Sequence, residues 1–179
     1  GGCPLNGSIH ISGSKNAALP IMAASILTND ELELSNVPNL DDVKTMSKVL
    51  SSLGVEVDKN NISENKMTLC YKDSNQSVAE YDLVRKMRAS VLVLGPLLAR
   101  KREATVSLPG GCAIGARPID IHIEALQKLG AEFSLNQGYI KCKASKGLIG
   151  CELDLPKISV GASENTIMAA CLAKGERKI

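Results

Sequence analysis

The chain has 179 residues, 44% of them apolar, with 21 basic against 19 acidic side chains and a net charge of +2. That length and apolar content suit one domain with a real core and exclude disorder. The small charge, with one Phe, three Tyr and no Trp, argues against nucleic acid, which needs a basic face and rings on which bases stack.

No segment reaches about 18 uninterrupted apolar residues, and no basic leader followed by an apolar run opens the chain. Membrane spanning and secretion are therefore disfavoured, and the cytoplasm is the expected compartment. The six cysteines, Cys3, Cys70, Cys112, Cys142, Cys151 and Cys171, form no C-x-x-C pair. They fall mostly in apolar runs, the pattern of reduced thiols rather than of a zinc site or a disulfide framework. His10 and His122 have no partner at ligand spacing and are read as structural histidines, so no metal is expected.

The first predicted element is an apolar helix over residues 14–27, entered through Ser12-Gly13-Ser14, a turn with capping hydroxyls. Lys15 and Asn16 open it. A cation at the positive end of a helix is disfavoured unless something negative lies nearby, so this entrance is a candidate anion site. A short strand at 31–35 follows, then an amphipathic helix at 40–53 closed by Gly54, and strands beginning at Val55 and spanning 67–71.

The same order returns. A second apolar helix covers 87–99, with Arg88 at its start beside Arg85 and Lys86, which are read as a wet face. The Arg100-Lys-Arg102 run complements that helix's C-terminus and is given no role. A strand at 105–108 leads into a glycine-rich loop, then an amphipathic helix at 118–129 closed by Gly130, and strands around Phe133 and at 139–143. A third apolar helix, 162–173, is preceded by Lys157-Ile-Ser-Val-Gly-Ala162. The three apolar helices begin at 14, 87 and 162, steps of 73 and 75 residues.

The expected unit is strand, buried helix, strand, surface helix and two strands (βαβαββ). Its copies run over about 7–76, 77–149 and, in part, 150–179. Helices apolar nearly all round are expected to be buried on every side, with function at their polar starts. Packing of the copies around a common axis brings the three entrances, at Lys15, Arg88 and 157–161, together. The third copy breaks off, so one incomplete domain is expected, part of a longer protein.

The most informative stretch is Leu108-Pro-Gly-Gly-Cys-Ala-Ile-Gly-Ala-Arg-Pro-Ile-Asp120. Its glycines make a loop that can move or approach a ligand closely, and Pro118 is preset for a first helical turn, so Arg117 and a helix N-terminus face one anion together. A cysteine beside fixed positive charge, here Cys112, is in the setting that tunes a thiol for chemistry.

These motifs, with Ser12-Gly-Ser-Lys-Asn-Ala-Ala-Leu-Pro20, Met87-Arg-Ala-Ser90 and Ser159-Val-Gly-Ala162, resemble the enolpyruvyl transferases along essentially the whole chain. The closest resemblance is to the branch that acts on UDP-N-acetylglucosamine in peptidoglycan synthesis. It implies an α/β fold, an inside-out α/β barrel that is one of two such domains, with the second domain lacking here. It also implies transfer of the enolpyruvyl group of phosphoenolpyruvate to the 3'-hydroxyl of UDP-N-acetylglucosamine with release of phosphate, and no metal or organic cofactor.

Residue by residue, the resemblance makes Cys112 the proton donor and the thiol that can form a covalent adduct. Lys15, Asn16 and Arg117 then bind phosphoenolpyruvate. Arg88, Arg117, Pro118, Ile119, Asp120, Ile121, Lys157, Ile158, Ser159 and Val160 hold the UDP-sugar. The acceptor's base and further arginines belong to the second domain, so the chain alone is expected to turn over little or not at all. The chemistry is consistent: protonating the methylene carbon of an enol ether needs a general acid, and the departing phosphate needs positive charge. 5-Enolpyruvylshikimate-3-phosphate synthase shares the fold and the donor but has no equivalent cysteine. A non-catalytic phospholigand-binding module and a purely structural repeat domain are the remaining alternatives.

Overall fold

The computed structural model describes residues 2–58, 65–72, 76–79, 87–107, 119–136 and 138–179, with the Arg88 side chain left out. Five α-helices lie among them: α1 (Lys15–Ala24), α2 (Asp41–Ser52), α3 (Leu94–Lys101), α4 (Asp120–Lys128) and α5 (Val160–Ala170). Short 3-10 turns, Ser25–Leu27 and Arg88–Val93, extend α1 and lead into α3. The strands are β1 (Leu32–Leu34), β2 (Val55–Asp58), β3 (Met67–Tyr71), β4 (Val78–Ala79), β5 (Glu103–Ser107), β6 (Glu132–Asn136) and β7 (Tyr139–Lys143).

Two sheets result, ordered β1-β3-β2 and β4-β5-β7-β6. All pairings are antiparallel except β4 with β5, where Val78 faces Thr105. The same parallel relationship returns beyond β7, where Ile149 bridges Lys174 and Glu152 bridges Lys178. A strand preceding an apolar helix thus pairs with the strand following it, in the second copy and again in the third.

The surface helices form for ordinary reasons. In α2, Val43, Met46, Val49 and Leu50 recur on one face and are buried, Asp41 and Asp42 occupy the first turn, and Gly54 at φ 94° closes the end. In α4, Ala125 and Leu126 are buried, Asp120 opens, Lys128 sits in the last turn and Gly130 adopts φ 93°. Between these helices and the apolar ones lies one continuous core, in which Met22, Ile26, Met46, Leu50, Leu94, Leu97 and Leu126 are fully buried. Each such side chain contributes roughly 1.5–3 kcal/mol of burial free energy.

Two expectations need correction. The apolar helices are not all buried on every side. α3 buries Leu94 through Leu98, being packed by α5, β5 and the Ser25–Leu27 turn, whereas α1 exposes Ile21 (46%) and α5 exposes Ile167 (53%). Both helices pack against several neighbours, yet each keeps an apolar side chain outside those contacts among the described residues.

The leading strand of the first copy is also missing: residues 2–14 form no described strand, and Leu5, Ile9 and Ile11 are exposed. β1, the three-residue edge strand of its sheet, pairs only with β3, and residues 2–14 do not take up its free edge. His10 lies in the same segment and is exposed, so it is not the structural histidine expected there.

Among the described residues, Cys3, Cys70, Cys142, Cys151 and Cys171 are free thiols. Among the described residues, no helix is long and apolar enough to cross a membrane. Arg100 and Lys101 close α3 over the Tyr71 ring at 5.5 and 5.8 Å, a structural use of that basic run.

Candidate functional site

Cys112, Arg117 and Pro118 lie outside the described residues, as do Arg85, Lys86 and the side chain of Arg88. What is described is the scaffold on either side of the cysteine loop: β5, which ends at Ser107, and α4, which begins at Asp120. The entrances of α1 and α5 are fully described.

At the first entrance Gly13 donates its N–H to Asn36 Oδ1 at 3.0 Å, and a Cβ on Gly13 would overlap the Asn36 carbonyl. Glycine is required by that approach. Ser14 occupies the N-cap of α1 but its hydroxyl makes no capping bond, contrary to the expected cap. Lys15 and Asn16 are exposed at the helix start, and Lys15 Nζ pairs with Asp42 Oδ2 at 2.7 Å. The negative group demanded by a cation at the positive end of a helix is therefore supplied from within the chain, by the first turn of α2.

At the α4 entrance, Ile119 and Ile121 are half-buried, and Asp120 is exposed with its Oδ1 accepting the Ile121 N–H at 3.0 Å. Two residues on, His122 is buried beside Asn165 of α5, a satisfied histidine as expected. At the third entrance Ser159 caps α5, its hydroxyl accepting the Ala162 N–H at 3.3 Å. Lys157, Ile158 and Val160 are exposed. Lys157, Ile158, Ser159 and Val160 all line one open groove of about 460 Å³, with Ser163 and Glu164 on its wall. Burial raises the Glu164 carboxyl above its ordinary value.

α1, α5 and the Arg88–Val93 turn pack against one another, and α5 packs on α4. The segments carrying the three entrances thus meet in one cluster of helices. A separate concavity of about 400 Å³ on the outer sheet, between Glu103, Thr105, Glu132 and Lys141, includes none of the residues singled out from sequence. Among the described residues no group of His, Cys, Asp and Glu has the arrangement of a metal centre.

Sequence reasoning passed over Asp42 and Asn165. Asp42 looks like an ordinary first-turn acid, and its partner is 27 positions away. Asn165 carries a local signal, a polar residue in the middle of an apolar helix, that points to a buried partner without naming it.

This arrangement of α/β units belongs to a known class. The family model described as EPSP synthase (3-phosphoshikimate 1-carboxyvinyltransferase) matches residues 1–179, and the chain belongs to that family. Within it, the chain is 54% identical over 179 residues to the UDP-N-acetylglucosamine 1-carboxyvinyltransferase of Helicobacter acinonychis (strain Sheeba). It is 53% identical over 178 residues to that of Pelagibacter ubique (strain HTCC1062). The alignments cover 100% and 98% of this chain but 42% of each relative, so the chain spans less than half the length of the curated relatives it matches.

Among solved structures, the enolpyruvyl transferase NikO from Streptomyces tendae superposes with a TM-score of 0.80 at 18% identity, over 98% of this chain and 40% of that one. EPSP synthase from Acinetobacter baumannii gives 0.72 at 16% identity, over 96% and 39%. The fold expected from the motifs, an enolpyruvyl transferase α/β fold, is the one found.

Proposed function

We propose that this chain is the part of a UDP-N-acetylglucosamine 1-carboxyvinyltransferase that carries the cysteine loop. The complete enzyme transfers the enolpyruvyl group of phosphoenolpyruvate to the 3'-hydroxyl of UDP-N-acetylglucosamine and releases phosphate. The carrying observation is identity above 50% along the whole chain to enzymes of that name. The product enters peptidoglycan precursor synthesis in the cytoplasm, and so serves cell shape and division.

In this reading Lys15, Asn16 and Arg117 hold phosphoenolpyruvate, with the ammonium and guanidinium on the phosphate that departs. Cys112 delivers the proton to the methylene carbon as the acceptor oxygen adds to the neighbouring carbon. Arg88, Arg117, Pro118, Ile119, Asp120 and Ile121 hold the UDP-sugar from one side, and Lys157, Ile158, Ser159 and Val160 from the other. The groove along 157–160 supports that assignment by offering an apolar wall beside a cation and a hydroxyl, which suits a nucleotide-sugar. The base for the acceptor hydroxyl comes from a second domain of the same polypeptide.

EPSP synthase is the alternative carried by the family model and by the solved structures. At 16% identity that structural likeness speaks to fold, and Cys112 favours the nucleotide-sugar enzyme. Phosphate release from phosphoenolpyruvate separates the two. It is measured with UDP-N-acetylglucosamine or shikimate 3-phosphate as acceptor, on the chain alone and on the chain fused to the remainder of the Helicobacter acinonychis relative. Release by the fusion with the nucleotide-sugar only is the expected result. Release with shikimate 3-phosphate only overturns the assignment, and turnover by the chain alone overturns the need for a second domain.

A further inference from the structure

Asn165 is fully buried on α5, and His122 on α4 is 4% exposed. Two backbone groups of fixed polarity orient the Asn165 amide. Gly95 N–H donates to Oδ1 at 2.7 Å, and Nδ2 donates to the Val91 carbonyl at 3.3 Å. Nδ2 also lies 3.1 Å from His122 Nδ1. An amide nitrogen only donates, so Nδ1 must accept, and the imidazole is neutral with its proton on Nε2.

The amide is therefore committed on both sides, and the backbone has closed around it. A Cβ at Gly95 would overlap Asn165. The His122 ring in turn rests on the first turn of α5, where a Cβ at Gly161 would stand 3.6 Å from Cε1 and 3.7 Å from Nε2.

Three members of this network each sit just behind one of the entrances. Val91 shares the Arg88–Val93 turn with Arg88, His122 follows Asp120 by two residues, and Asn165 lies within two turns of the Ser159 cap. None lies on α1. We propose that Asn165 is a positioning residue for the nucleotide-sugar. Through neutral His122 it locks the segments bearing Arg88, 119–121 and 157–160 into one register, so that they meet the same ligand. This role rests on the reading of those segments given above. Its physical basis is that a satisfied buried network specifies one arrangement, whereas removing a partner strands the others in a low-dielectric interior.

Asn165 acting as packing alone would, when changed, lower stability without favouring one ligand over another. The test uses NMR on the isotope-labelled chain. The ring nitrogens of His122 report its tautomer; Nε2–H is expected, and an Nδ1–H form at neutral pH overturns the proposal.

UDP-N-acetylglucosamine and phosphoenolpyruvate are then titrated separately against the wild type, Asn165→Asp, His122→Leu and His122→Asn. The asparagine Oδ1 of the last variant replaces Nδ1 as acceptor. Asn165→Asp and His122→Leu are expected to weaken nucleotide-sugar binding about tenfold, the size of one lost buried hydrogen bond. Phosphoenolpyruvate binding, read at Lys15 and Asn16, weakens less, since only Arg117 of its three ligands adjoins the network in sequence, and His122→Asn binds as wild type. Equal weakening of both ligands, or wild-type binding by His122→Leu, overturns the role of Asn165 alone. Should Asn165→Asp fail to fold, the two His122 variants carry the comparison. In the fused enzyme, 119–121 and 157–160 amides that ignore the nucleotide-sugar overturn the reading on which this role rests, whereas unequal binding among the variants tests the role itself.

Discussion

Lys15 Nζ and Asp42 Oδ2 stand 2.7 Å apart, joining the exposed start of α1 to the first turn of α2. Both side chains are close to half exposed, 44% and 40%, so the pair is worth no more than about 1 kcal/mol of stability. Its effect on a ligand is larger in kind. A carboxylate touching the ammonium competes with any anion that Lys15 binds and takes the ammonium back when the anion leaves. Asp42→Asn is expected to raise the affinity for inorganic phosphate about two- to fivefold, the range a half-exposed ion pair allows. Lys15→Ala removes binding at this entrance. Phosphate titration followed at the Lys15 and Asn16 amides checks both, and weaker binding by Asp42→Asn would show that the acid organises the lysine instead of competing for it.

The thiols separate by environment. Burial pushes Cys142 from an ordinary 9.0 up to about 12, which leaves it protonated and unreactive at neutral pH. Cys112→Ala in the fused enzyme is expected to lower turnover by about 10²–10⁴, the usual worth of a general acid, while Cys142→Ala leaves turnover unchanged. The raised value also sets a sign. The unfolded chain loses this proton above about pH 9 and the folded chain only near 12, so stability falls as pH rises across that interval. Urea midpoints at pH 8 and 10.5 should differ less in Cys142→Ala than in the wild type.

Much of the fold is legible because it is written locally. β3 and β7 begin and end at the residues their alternating patterns select, 67–71 and 139–143. α2 and α4 start and stop within two described residues of their first-turn acids and closing glycines. The misses are non-local. Nothing in residues 2–14 says that they lack a partner strand, and nothing near Ser14 says that its hydroxyl will go unused as a cap. The Asn165 network joins positions 43, 70 and 74 residues apart, so its signature in sequence is one polar residue and one glycine, each unremarkable alone.

Gly95 and Gly161 are both helical glycines, and the network predicts opposite responses to alanine. At Gly95 the added methyl drives into Asn165, an overpacking that costs about 1–3 kcal/mol and lowers Tm by roughly 3–10 °C in a chain of this size. At Gly161 the methyl meets the His122 ring at ordinary contact distance, 3.6 Å, and the helix gains up to about 1 kcal/mol of propensity. Thermal melts of the two variants should therefore move in opposite directions. A shared direction would mean that the backbone of α3 yields where the amide was thought to hold it.

Glu164 offers the last test. It lies on the wall of the third entrance, and burial raises its carboxyl above the ordinary 4.5. A raised folded value means that the native state prefers the protonated acid, so stability is fullest below the unfolded value and is lost as pH rises through the folded one. Glu164→Gln keeps the shape and removes the charge. It should melt higher than wild type at pH 7, by a few tenths of a kcal/mol given the side chain's partial exposure, and equal to it at pH 4. The groove beside Lys157 also becomes more positive in that variant, so the nucleotide-sugar should bind it more tightly at pH 7. Equal melting at both pH values would place the carboxylate in water, away from the groove wall.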